Sequence, residues 1–167
     1  MYKVEKDWTS KAELRCVVIM TDMGHRCGYV GVTNIHPFYG KGYSDPAPIE
    51  EFEKVAEGEI GKRGAIDLFC CDPDEPRIGI LFDVHGGITY TGGNGKYPVK
   101  SNLWWFGYDC GHCDDGTDLS EVSDSVREIE VLFPSRGIVR SLDYCIQECE
   151  SLAEQLMKIT NKIKRSK

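Results

Sequence analysis

Residues 14–20 (LRCVVIM) and 27–33 (CGYVGVT) are short apolar runs rich in β-branched side chains, too brief for stable helices. The polar, glycine-containing segment between them, residues 21–26, suits a hairpin turn with a few extra residues, so the two runs are expected to pair. Residues 34–43 (NIHPFYGKGY) are aromatic and glycine-rich with no period, which predicts a loop. Pro46 and Pro48 then introduce residues 49–57, where Phe52, Val55 and Ala56 make one stripe of a short helix ending at Gly58. Residues 65–71 (AIDLFCC) read as a third strand. Residues 78–84 (IGILFDV) read as a fourth, with residues 88–91 continuing it past a glycine kink. Residues 92–95 predict a turn, and the aromatic run 103–108 (LWWFGY) a further strand. Residues 116–130 are acidic and weakly patterned, a loop or frayed helix, and Pro134 marks a break after Val131-Leu132-Phe133.

The last element has the clearest period. Leu142, Cys145, Ile146, Cys149, Leu152, Ala153, Leu156, Ile159 and Ile163 follow three-and-four spacing, the apolar stripe of a long amphipathic helix. The pattern predicts one α+β domain over residues 1–167: a mostly antiparallel sheet covered by one long C-terminal helix.

Hydrophobic residues make up 41% and charged residues 28% of the 167, an ordinary balance for a globular chain. No apolar run approaches the ~20 residues that span a bilayer, and MYKVEKDWTSK lacks an apolar signal region, so a cytoplasmic location without a membrane partner is expected. A net charge of −7 argues against general nucleic-acid binding, which needs a basic face. The charge is uneven: residues 109–130 hold eight acidic residues against Arg127, and the last ten residues hold five Lys or Arg. That basic end complements a helix C-terminus. Without an export signal, the eight cysteines are expected to be reduced thiols that pack as small apolar groups. Cys110-x-x-Cys113 with Cys145 and Cys149 on one helix face is the competing zinc-site reading.

Chemistry concentrates between residues 83 and 116. His85 ends an apolar run and is followed by Gly86 and Gly87, which let backbone amides approach a ligand oxygen; Thr89 adds a hydroxyl to the same rim. The second run leads from Trp104 and Trp105 into Asp109, His112, Asp114 and Asp115. If both runs are neighbours in one sheet, His85 and His112 meet at one mouth. They could then serve as general base and general acid on a phosphodiester, with Asp109 orienting one ring. One of Trp104 and Trp105 could stack on a base. Arg26, His36 and Tyr39 are further candidate ligand contacts, Arg26 as a fork for phosphate. The alternative chemistry is a divalent metal held among Asp83, His85, Asp109, His112 and Asp114, a donor set suited to Zn, Mn or Fe(II). For most of the carboxylates after Asp114 a solvated acidic loop is the simpler reading.

Asp83-Val84-His85-Gly86 resembles the first motif of calcineurin-type metallophosphoesterases, whose later Gly-Asn-His motif is absent here. A longer resemblance is carried by CGYVGV at 27–32, HPFYGK at 36–41, HGGITY at 85–90, WWFGYDCGH at 104–112 and ECESLAEQL at 148–156. Together these resemble a widespread family of small bacteriophage and prophage proteins with no settled activity, often lacking a cysteine where this chain has Cys113. The resemblance implies a phage context, in which small proteins sequester or cleave nucleotide signals of bacterial immunity. The resulting expectation is an anti-defence protein in the host cytoplasm that binds a small nucleotide-like ligand and acts as a phosphodiesterase through its histidines. The alternatives are a non-catalytic sponge, a metal-dependent hydrolase and an acidic inhibitor of a host protein. The sequence leaves both a metal cofactor and homo-oligomerisation open.

Overall fold

A computed structural model describes residues 2–48, 75–93, 95–120 and 122–165. The expected helix at 49–57 and strand at 65–71 lie outside these residues. The fold is α+β. Five strands, β1 (Tyr2–Thr9), β2 (Arg15–Thr21), β3 (Arg26–Val32), β4 (Tyr90–Gly93) and β5 (Trp104–Asp109), form one antiparallel sheet in the order β1-β2-β3-β5-β4. Helices α1 (Asp124–Leu132) and α2 (Leu142–Arg165) follow.

The two N-terminal apolar runs pair as the β2–β3 hairpin, with Cys16 opposite Val30 and Val18 opposite Gly28. Gly24 closes its turn at φ +83°, and its amide donates to the Thr21 carbonyl. Alternation along the strands divides their side chains between two hydrophobic clusters. Cys16, Val18, Val30, Val32, Phe106 and Tyr108 join the helical residues Cys145, Cys149, Leu152, Ala153 and Leu156 in the larger one. Val17, Ile19, Cys27, Tyr29 and Trp105 form the second. Tyr108 also donates its hydroxyl to the Cys145 carbonyl at 2.8 Å, and Trp8 donates its indole N–H to Glu150 at 2.8 Å. Leu152 is fully buried where α2 meets this cluster. Leu152→Ala is expected to cost about 2–5 kcal/mol, read as a lower urea midpoint at unchanged slope.

Two expectations need correction. Residues 78–84 are not a strand. Ile78–Leu81 coil into a 3₁₀ turn because the amides of Ile78 and Gly79 donate to the carbonyls of Asp45 and Tyr43. Ile78, Ile80, Leu81, Phe82 and Val84 are all buried, so the run lacks the two-sided alternation of a surface strand. Gly92 and Gly93 belong to β4 rather than to a turn, opposite Trp105 and Trp104. A Cβ on Gly93 would meet Trp104 Cε3 at 2.7 Å, so the strands approach this closely only with glycine there. Of the two readings of the acidic stretch, loop or helix, its second half takes the helix. Ser123 caps α1 by accepting from the Val126 amide, and the helix ends ahead of Phe133 and Pro134. Among the described residues no helix is long and apolar enough to cross a membrane.

Candidate active site

The first arm of the site is the segment after the 3₁₀ turn. The Gln155 side chain binds the backbone of Asp83 on both sides, accepting from its amide and donating to its carbonyl, each at 2.8 Å. Two residues on, buried Glu148 accepts the His85 amide at 2.9 Å. Helix α2 thus holds this segment by two side chains about two turns apart. Gly86 and Gly87 then turn it at φ +65° and +85°, a region that disfavours residues with a Cβ. The reversal leaves the His85 ring facing the end of β5.

The second arm continues β5. Asp109 accepts the Gly111 amide through its own side chain, and the Asp115 amide donates to the His112 carbonyl. Asp115 and Ile138 form a parallel bridge, with the amides of Gly116 and Ile138 donating across it. A Cβ on Gly137 would fall 2.2 Å from the Asp114 carbonyl oxygen, so glycine lets the two backbones meet. This bridge delivers Arg140 to Asp115.

At the centre lies the Asp115 carboxylate, with 2% of its side chain exposed. Its Oδ2 is 2.9 Å from His85 Nε2 and accepts the His112 amide at 3.0 Å; its Oδ1 accepts Arg140 Nε at 2.7 Å. Burial alone would raise its pKa. The hydrogen bonds from Arg140, His85 and the His112 amide outweigh burial and hold the carboxyl below its ordinary range. A carboxylate only accepts, so the network assigns the proton on His85 to Nε2 and leaves Nδ1 to pair with the Tyr144 hydroxyl at 3.0 Å. Burial, with Glu148 nearby, pushes the Tyr144 hydroxyl up to about 12. The Arg140 guanidinium lies over the Tyr144 ring, 5.1 Å from its centroid.

His112 stands edge-on to His85, with ring centroids 5.4 Å apart. Its side chain is 35% exposed, against 11% for His85. His112 Nδ1 is buried without a hydrogen-bond partner, 3.5 Å from Asp115 Oδ2 and 4.0 Å from Asp109 Oδ1. Donor atoms of His85, His112 and Asp115 all lie within 4.8 Å of one another, the one group of this kind among the described residues.

The two histidines and Gly86-Gly87 are therefore brought together, with Asp109 at the edge. Asp83 and Asp114 stand outside the cluster; Asp114 is exposed. Thr89 is exposed, and its amide donates to Gly107 in the sheet. Arg26 is committed elsewhere: its guanidinium forks onto Glu5 at 2.7 and 3.0 Å and donates to the Arg140 carbonyl at 2.9 Å. A small cavity of about 60 Å³ beside it is lined partly by Glu5, Asp118 and Ser120. His36 is buried, its Nδ1 accepting the Phe38 amide and its Nε2 donating to the Leu156 carbonyl. Burial depresses its pKa, which favours the neutral ring that this pairing uses. Trp104 lies at the opposite end of β5 from Asp109, roughly 17 Å away at the usual strand rise. It donates to the Lys41 carbonyl and packs near Tyr39, while Trp105 is buried on the other sheet face.

The four cysteines of the zinc reading do not converge. Cys110 and Cys145 are buried with sulfurs 3.8 Å apart, but Cys113 is exposed beside Asp114, and buried Cys149 lies against the Tyr108 hydroxyl.

Sequence reasoning grouped Asp115 with Asp109, His112 and Asp114 but gave it no role of its own, and it did not single out Arg140, Tyr144 or Glu148. One signal was present: Glu148 lies between Cys145 and Cys149 in the apolar stripe of α2, where a charge needs a buried partner. Comparison of the chain with protein-family models, curated proteins and solved structures gave no match.

Proposed function

We propose that this protein hydrolyses a phosphodiester in a small nucleotide-like ligand, with His85, Asp115 and His112 as its reactive centre. The observation that carries this reading is the convergence of two imidazoles on one buried carboxylate, beside a glycine pair whose backbone turns at the same mouth. Asp115 takes the positioning role that the sequence had suggested for Asp109, because it bonds the His85 ring and the His112 amide together. His112, the more exposed ring, is the face that the ligand meets, and His85 lies behind it. Helix α2 acts as the cover of this sheet face: Tyr144 and Glu148 fix His85 from the same helix whose apolar stripe enters the larger cluster. The resemblance to small phage proteins supports a cyclic-nucleotide immune signal as the ligand and the host cytoplasm as the place of action.

Incubation with a panel of cyclic dinucleotides should yield linear products. His85→Ala combined with His112→Ala should lower turnover by about 10²–10⁴-fold, the range for losing positioned acid–base groups. Undiminished turnover in the double variant would refute the assignment. Ligand bound by the wild type and recovered intact after denaturation would make the protein a sponge instead.

A further inference from the structure

The geometry points to a divalent transition-metal site formed by His85 Nε2, His112 Nδ1 and one oxygen of Asp115. This inference rests on the hydrolytic reading of the same centre, recasts its two histidines from acid and base to ligands, and names the cofactor that would activate water there. Its first support is an atom without a use. His112 Nδ1 is shielded from water and has no hydrogen-bond partner, a condition that costs about 1–3 kcal/mol and calls for an explanation. A cation bound at that lone pair supplies one.

Spacing is the second support. Ligands around one cation at about 2.0–2.2 Å lie roughly 3–4 Å from one another. His85 Nε2 and His112 Nδ1 lie 2.9 and 3.5 Å from Asp115 Oδ2, and the widest separation in the group is within 4.8 Å. Two imidazoles and one carboxylate select borderline divalent ions such as Zn²⁺, Mn²⁺ or Fe²⁺ over Ca²⁺ or Mg²⁺. Three protein ligands also leave coordination positions for water and substrate, the pattern of a catalytic site rather than a structural one.

The surrounding contacts are the third. Metal-binding histidines and carboxylates are oriented by outer partners. Here Tyr144 meets His85 Nδ1, and its hydroxyl can donate or accept, so it would accept from Nδ1–H once the ring proton has shifted there and freed the Nε2 lone pair for a metal. Arg140 occupies Asp115 Oδ1, leaving Oδ2 directed at both histidines. Glu148 fixes the His85 backbone.

The test uses full-length protein stripped with chelator and titrated with Zn²⁺ and with Mn²⁺ by calorimetry. Saturable binding near one ion per chain is expected. His112→Ala, a change at a partly exposed ring that should spare the fold, is expected to weaken binding by at least about 100-fold. Circular dichroism of the variant checks that folding is retained. Co²⁺ substitution supplies a second readout: nitrogen–oxygen ligation gives visible d–d bands without thiolate charge transfer. Absence of stoichiometric binding, unchanged affinity in a folded His112→Ala, or a thiolate band from the nearby cysteines would overturn the site. Cyclic-dinucleotide turnover measured in stripped and reloaded protein separates the two claims. Metal binding that depends on His112 but gives no turnover sustains the site and sinks the hydrolytic reading. Turnover that survives chelation sinks the metal and leaves that reading standing.

Discussion

Asp115→Asn is expected to abolish turnover and to lower the melting temperature by roughly 6–12 °C. The Asp115 carboxylate accepts three hydrogen bonds: two at Oδ2, from the His85 ring and the His112 amide, and one at Oδ1, from Arg140. An asparagine of the same shape has one accepting end. Whichever way its amide turns, an NH₂ group faces N–H donors, so isostery does not rescue the site. The substitution also strands Arg140 beside a neutral partner. Breaking a buried ion pair at one member costs about 3–5 kcal/mol, and each kcal/mol moves the midpoint of a chain this size by about 2–4 °C; the range given uses the lower cost because Arg140 keeps some access to water. Asp114→Asn, at the exposed neighbour, should leave the midpoint unchanged. The pH dependence has a definite sign. Because folding depresses the Asp115 pKa, its contribution is present above the ordinary carboxyl value and is lost as pH falls through the depressed one. The gap between wild type and variant should hold from neutral pH to about pH 5 and narrow in stronger acid. A thermal melt within 2 °C of wild type at pH 7 would contradict the central place given to this carboxylate.

The same carboxylate shows where the sequence stopped being legible. Its partners Arg140 and His85 lie 25 and 30 positions away, on opposite sides in the chain. Nothing local distinguishes Asp115 from its acidic neighbours. Burial decides its role, and burial is set by the Asp115–Ile138 bridge, a contact between two irregular segments without periodic signal. Elements whose own pattern records their packing were legible. The β2–β3 hairpin and β5 are short β-branched or aromatic runs buried on both faces, and α2 buries one stripe that three-and-four spacing marks. Strand β1 carries YKVEKDWT at the sheet edge, mostly exposed, and leaves little hydrophobic trace. The run at 78–84 failed although it looks much like β2. It is apolar almost throughout, and a sequence buried on all sides fits a strand and a tight turn equally. Hydrogen bonds to Tyr43 and Asp45 chose the turn. The two histidines were legible as a pair because each follows closely on an aromatic or aliphatic run. What joins them was not.

Gly86→Ala should erase the site while leaving most of the fold in place. A Cβ at Gly86 would lie 2.0 Å from Cε1 and 2.5 Å from Nε2 of His112, a separation that atoms do not tolerate. The residue in the way is a partly exposed ring, so relief comes by swinging His112 outward rather than by moving backbone. Turnover should then fall to the level of His112→Ala, and cation affinity should fall with it. The residue also sits at φ +65°, where alanine costs about 1–2 kcal/mol for backbone reasons alone. Gly40→Ala isolates that cost: Gly40 has φ +77°, but a Cβ there meets nothing within 4 Å. Both variants should lose comparable stability in urea, and only Gly86→Ala should lose ligand chemistry. Equal activity in the two would mean that His112 does not need its place against Gly86, and the case for a shared centre would lose the contact that seats its exposed member.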